Sequence, residues 1–262
     1  MSIIEAIILG IVQGLTEFLP ISSSGHIELG KVVLGVESAD DITFTLLVHA
    51  ATALSILAVF WNDIKELFVS IFSFQWNENT QYIAKIAISM LPAAFVGLFF
   101  EDQLNELFDG EIILVGCCLV ATGFILFLTQ LERKHRRSVN FLDAIIIGLA
   151  QAVAILPGIS RSGSTISTAL ALGIEKEKAT RFSFLMVLGL IAGASILKLK
   201  DLGEATQDTT FLPYFMGFLA AFVSGVLACT WMLNIVKKGK IVYFSAYCFL
   251  IGAIAIAFGF MQ

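Results

Sequence analysis

Six largely apolar stretches of roughly twenty residues constrain this chain more than any other feature. They cover about residues 42–61, 82–100, 111–131, 179–198, 211–233 and 241–260. Each is long enough to cross the hydrocarbon core of a bilayer as a helix. A spanning segment must satisfy its own backbone polar groups, which a helix does. The chain therefore reads as an all-α, polytopic membrane protein. Composition agrees: 14% of the residues are charged, against about a quarter in a soluble domain. No polar stretch is long enough to build a separate soluble domain, so residues 1–262 read as one membrane domain. No basic patch points to nucleic acid. The start, Met1-Ser2-Ile3-Ile4-Glu5, lacks a basic region, so no removable signal peptide is expected. Cys117, Cys118, Cys229 and Cys248 lie in apolar runs without metal-ligand spacing and are expected to be small, buried packing residues.

Two further apolar segments, about 3–35 and 140–173, are broken in the middle by Pro and Gly. Each is too interrupted for one span and too short for two. A re-entrant helix–loop–helix fits, with its irregular backbone enclosed by protein or lining a wet cavity. The basic stretches 132–137 and 237–240 are expected on the cytoplasmic side. The acidic stretch 101–111 and the loops 37–41 and 198–210 then fall outside. The two broken segments align without gaps at a shift of 138 residues, with 12 identities over positions 5–37. Gly10 meets Gly148, Gln13 meets Gln151, Ser22 meets Ser160, and Ser24-Gly25 meets Ser162-Gly163. Three spans follow each copy, an odd number, so the second copy is inverted. The expected plan is an inverted repeat, about 1–131 and 139–262, with a site near the midplane built from broken helices.

The breaks carry the polar chemistry. The first reads Gln13-Gly14-Leu15-Thr16-Glu17-Phe18-Leu19-Pro20-Ile21-Ser22-Ser23-Ser24-Gly25-His26. Gln13 and Glu17 share a helix face, and Pro20 ends that helix. The serines cap a second helix, with His26 in its first turn. The second reads Pro157-Gly158-Ile159-Ser160-Arg161-Ser162-Gly163-Ser164-Thr165. Its hydroxyls lie beside backbone N–H groups, and Arg161 offers a planar fork for phosphate oxygens. Helix N-termini attract anions, so two of them facing each other suit a phosphate or a diphosphate. Ionisable residues at membrane depth are functional candidates. The serines also read as packing residues, Gln13 and Gln151 as loop supports, and Arg161 as a counter-ion for Glu17. His49 reads as a packing or hydrogen-bonding residue.

With these motifs in view, the chain resembles the undecaprenyl-diphosphate phosphatase, or bacitracin-resistance, family over essentially its whole length. Gln13-x-x-x-Glu17, Ser22-Ser23-Ser24-Gly25-His26 and Pro157-Gly158-x-Ser160-Arg161-Ser162-Gly163-x-Thr165 carry the resemblance. It implies an enzyme of the bacterial plasma (inner) membrane. Such an enzyme removes the terminal phosphate of undecaprenyl diphosphate at a site open to the outer side. The resulting lipid carrier serves peptidoglycan synthesis, and bacitracin resistance follows. Mg2+ or Ca2+ would assist. Glu17 would act in metal or acid–base work, His26 as nucleophile or acid–base group, and Ser23 as the rival nucleophile. Arg161 would clamp the diphosphate. Ser160, Ser162 and Thr165 would hold oxygens, with Ser22, Ser24, Gly25, Gly163 and Gln151 completing the substrate site. The motif's first carboxylate is Gln13 here. A two-carboxylate metal site is therefore in doubt, although an amide oxygen can still serve a hard cation. The rival reading from another class is a secondary transporter or flippase for polyprenyl phosphate, which the same architecture fits. A homo-oligomer is compatible with the chain.

Overall fold

The computed structural model describes residues 1–35, 41–73, 75–100, 112–131, 137–205 and 211–261. Side chains at 41–42, 131 and 195–205 are outside that description. The expected loop 101–111, most of the expected loop 37–41 and most of the basic stretch 132–137 lie outside the described residues; of the expected loop 198–210, residues 198–205 are instead helical and only 206–210 lie outside.

Both broken segments are built from the same local signals. Helix α1 (Ile3–Phe18) starts in a capping box in which Ser2 and Glu5 bond each other's backbone N–H. At the equivalent place, Asn140 and Asp143 form the capping box of α7 (Phe141–Val153). Each box satisfies two N–H groups that a helix start leaves open. After the breaks come α2 (Ser23–Leu34), capped by Ser22, and α8 (Arg161–Ala171), capped by Ser160. Both end at a glycine with positive φ, Gly35 and Gly173.

The six expected spans are all helical: α3 (Asp41–Val59), α5 (Glu78–Phe99), α6 (Ile112–Phe127), α9 (Lys176–Ala205), α10 (Phe211–Lys237) and α11 (Tyr243–Gly259). Among the described residues, three regions are long and apolar enough to cross a membrane alone: Glu78–Phe99, Ile112–Gln130 and Phe211–Lys237. A fourth span forms only if Thr43–Val59 is taken with α4 (Trp61–Ile71), to which it is bent by 85°. The apolar run over 42–61 predicts one span, and nothing in its pattern marks α4. This helix exposes Phe68 and Val69, while Asp63 pairs with Arg181 of α9 at 2.7 Å. No strand occurs among the described residues.

Packing crosses between the halves. Helix α1 lies along α10, α7 along α5, and α6 along α11. The contacts are backbone-close at equivalent points. A Cβ on Gly10 would sit 2.3 Å from the Gly217 carbonyl oxygen, and one on Gly148 would sit 2.5 Å from that of Ser89. In a membrane, small residues let helices approach and gain van der Waals contact. The outer faces carry Phe95, Phe124, Leu227 and Leu250, whereas the interior holds Gln13, Thr52, Gln151 and Ser160. Phe18, Phe60 and Phe184 pack edge to face beneath the first break, with centroids 5.4 Å and 6.2 Å apart. Cys118, Cys229 and Cys248 are buried as expected; Cys117 is not. The turn of α6 that brings Gly116 onto α11 carries Cys117 to the outer face.

Candidate active site

The first break follows from Pro20. The residue before a proline is pushed out of the helical region, and Leu19 is extended, with ψ of 143°. The chain then reverses through Ser22, the one described non-glycine residue with positive φ, at 70°. That conformation costs about 1–2 kcal/mol for a residue with a Cβ. It places the Ser22 hydroxyl to accept from the Gly25 N–H at 3.2 Å, starting α2. The second break uses Gly158 instead, with φ of 91°. Thr122 of α6 ties it down, donating to the Gly158 carbonyl at 3.1 Å and accepting from the Ser160 N–H at 3.0 Å.

The two breaks touch. The Ser162 hydroxyl donates to the Leu19 carbonyl at 3.2 Å. A Cβ on Gly25 would lie 3.2 Å from the Gly158 Cα, and one on Gly163 would lie 3.4 Å from the Pro20 Cβ. The N-termini of α2 and α8 are therefore neighbours, and both aim their first N–H groups out of the helix ends.

Glu17 sits at the join, with its side chain 2% exposed. Its Oε1 accepts from Arg161 Nη2. Its Oε2 accepts from the Ser23 hydroxyl at 2.8 Å and from Gln13 Nε2 at 3.0 Å. A carboxylate this buried requires a cation and hydrogen bonds, and the second half supplies the cation. His49 also approaches, its Nε2 4.0 Å from Glu17 Oε2. An imidazole within a span is the one sign of that approach visible in the sequence.

His26 lies one turn along α2 from Ser23. Its Nδ1 is 2.8 Å from the Ser22 carbonyl, and its Nε2 is 2.8 Å from the Tyr247 hydroxyl. Glu17 and His26 make no hydrogen bond to each other; both ring nitrogens are engaged elsewhere. Tyr247 was not singled out from the sequence either, since an aromatic residue in a span is ordinary.

The remaining expected residues divide sharply. Ser160 caps α8 by accepting from the Gly163 N–H at 3.0 Å. Thr165 donates back to the Arg161 carbonyl at 2.9 Å and meets Ser183 at 2.6 Å. With Ser162 on Leu19, these hydroxyls are taken by the protein. Ser24 and Ser22 share a contact at 3.3 Å. Gln151 is fully buried, and its amide has no hydrogen-bond partner among the described residues, so no bond joins it to Glu17 or Arg161. Arg161 and the backbone N–H groups of the two helix starts can receive a phosphate.

A metal ion must be tested against the donors present. Among the described residues, no group of three or more His, Cys, Asp or Glu side chains could hold one. Gln13 Oε1 is a buried acceptor with no partner, on the side chain whose Nε2 binds Glu17. One carboxylate plus one open amide oxygen is too thin for a protein cage. It fits a hard cation that takes its other oxygens from substrate phosphates and water, as Mg2+ commonly does.

Residues 6–254 match the family model described as bacitracin resistance protein BacA. Among curated relatives, an undecaprenyl-diphosphatase of Christiangramia forsetii is 51% identical over 264 residues, covering 100% of both chains. Those of Parabacteroides distasonis and Bacteroides fragilis are 48% and 47% identical, each covering 98% of both chains.

Proposed function

This chain belongs to the BacA family of bacitracin resistance proteins, and from that premise we propose that it hydrolyses undecaprenyl diphosphate to undecaprenyl phosphate and phosphate. The carrying observation is the ion pair between Glu17 and Arg161 across the two breaks, with Ser23 donating to the same carboxylate. The relatives are named for a diphosphatase, which favours hydrolysis over the transporter reading.

Phosphoryl transfer needs charge on the non-bridging oxygens neutralised and the attacking oxygen held in line. Arg161 moves from Glu17 to the diphosphate, joined there by the N–H groups of α2 and α8. Glu17 Oε2, already bonded to the Ser23 hydroxyl, is placed to take its proton. Ser23 Oγ attacks the terminal phosphorus, its proton passes to Glu17, and the bond to the bridging oxygen breaks, releasing the lipid monophosphate. Water then attacks the phosphoserine. Its proton goes to His26 Nε2, and Glu17 returns a proton to the departing Ser23 oxygen. Glu17 and Gln13 Oε1 would hold Mg2+ or Ca2+, which when bound adds positive charge against the phosphate oxygens.

The halves are read as inverted repeats, supported by paired capping boxes, paired serine caps and the reciprocal packing of α1 on α10 and α7 on α5. The protein is placed in the bacterial inner membrane with its basic ends cytoplasmic. Thr129, Lys176, Gly239 and Ile241 line one cavity, which supports a common side for both basic stretches. The site then opens to the outer side. The test is phosphate release from a long-chain polyprenyl diphosphate by the purified protein in detergent. Full activity in both Glu17→Ala and Arg161→Ala would overturn the assignment.

A further inference from the structure

We propose that Tyr247 is the positioning residue for His26: it fixes which ring nitrogen is the base and stays bonded to that nitrogen before and after it takes a proton. This rests on the reading of His26 given above.

The tautomer follows from the partners. A carbonyl oxygen can only accept a hydrogen bond. The 2.8 Å contact between His26 Nδ1 and the Ser22 carbonyl therefore puts a hydrogen on Nδ1. In the neutral imidazole, Nε2 then carries the lone pair. The group 2.8 Å from Nε2 is the Tyr247 hydroxyl, which donates to it. The rings lie within 12° of parallel, with centroids 5.6 Å apart. The imidazole is thus held at both nitrogens, with the two rings nearly parallel. The strained turn at Ser22 is part of this hold, because its carbonyl also accepts the His26 backbone N–H at 3.2 Å.

A phenol suits this place better than any charged group. A lysine or arginine could only donate, and would oppose an imidazolium. A carboxylate could only accept, and would draw the proton onto Nε2 in the resting enzyme. A tyrosine hydroxyl does both. It donates to neutral Nε2 at rest. When the attacking water arrives, the phenol O–H turns off Nε2 and frees its one lone pair for the water's proton; the phenol oxygen then accepts from the new N–H. Helix α11 supplies this group from the far end of the chain, and the next residue, Cys248, has its thiol 3.7 Å from the Pro20 carbonyl. One turn of α11 therefore braces both the break and the imidazole behind it.

The experiment compares the full-length protein with Tyr247→Phe, which keeps the ring on His26 and removes only the hydroxyl. Two readouts are taken in detergent. The first is phosphate release from a polyprenyl diphosphate. The second is the nitrogen-15 spectrum of the histidine side chains, with His26 assigned from its loss in His26→Gln. Expected are a roughly tenfold fall in kcat, the scale of one lost hydrogen bond, with KM little changed. His26 should also pass from a single Nδ1–H tautomer to a mixture. Tyr247→Gln, which can both donate and accept, should recover part of the rate, and Tyr247→Leu should not. In a His26→Ala background, Tyr247→Phe should cost nothing further. A Tyr247→Phe enzyme with parental kcat and an unmixed tautomer overturns the proposal. So does a full additional loss in the His26→Ala background. Failure of the underlying reading shows separately, as parental activity in Ser23→Ala and Arg161→Ala.

Discussion

The two broken segments share a backbone plan and differ in how the rest of the protein treats them. Helix α8 is nearly enclosed: Ser162, Gly163, Ser164, Thr165, Ile166 and Ser167 are all buried. Helix α2, its counterpart, buries only Gly25 and Ile27. Enclosure goes with committed hydroxyls, since Ser160, Ser162 and Thr165 each hold backbone or a neighbour. Openness goes with the proposed chemistry, since Ser23 and His26 lie on the less covered helix. The backbone follows the same division. The enclosed break turns on a glycine, while the open one turns on Ser22 at a strained φ. Strain of this kind persists where the surroundings over-determine it, and it clusters at functional sites. In the proposed mechanism the enclosed segment is the clamp that holds Arg161, and the open one is the reactive arm.

This division can be broken by experiment. The largest effect belongs to the reactive arm. Ser23→Ala should lower phosphate release by on the order of 10³-fold or more and abolish any trapped phosphoenzyme; a phosphoenzyme mapped to His26 instead would reverse the assignment. Arg161→Ala should cost roughly 10²–10³-fold in kcat, the scale for removing one electrostatic donor. It should also lower the melting temperature, because Glu17 is left as an unpaired buried carboxylate. A variant as stable as the parent would show that the pair does not hold the two breaks together.

The clamp is tested through Gly158. A Cβ there would lie 2.5 Å from the Val115 carbonyl oxygen, on a backbone with φ of 91°. Gly158→Ala should destabilise the protein by about 2–4 kcal/mol, seen as a lowered melting temperature in detergent. The smallest effect is expected at Ser22. Ser22→Gly relieves roughly 1–2 kcal/mol of strain and loses a few tenths by exchanging a serine cap for glycine. Stability should therefore change by less than about 2 kcal/mol. Activity should fall if the turn positions His26, and parental activity would detach the strain from function.

Local chemistry was legible in the sequence because its causes lie within a few residues. Pro20, Pro157 and Gly158 end their helices wherever the chain goes. Ser22 and Ser160 cap because a hydroxyl three residues before a free N–H is already in reach. The capping boxes of α1 and α7 and the 138-residue correspondence belong to the same level. Glu17 and Arg161 stood out because charge in apolar runs is costly and requires a reason. The bend into α4 was not legible, since its 85° turn involves neither proline nor glycine. Tertiary packing alone decided which groups meet. His49 approaches Glu17 from 32 positions away, and Tyr247 reaches His26 from 221 positions away. Such pairs depend on the rotation of whole helices against one another, set by close contacts such as Gly10 on Gly217. The same packing decided that Thr165 and Ser162 face protein while Ser23 faces Glu17. The sequence by itself determined that this chain would fold into broken helices in a membrane, with one acid, one imidazole and one guanidinium at the breaks. The tertiary structure decided which of them touch, because rotation about a helix axis leaves composition and spacing unchanged and alters every contact.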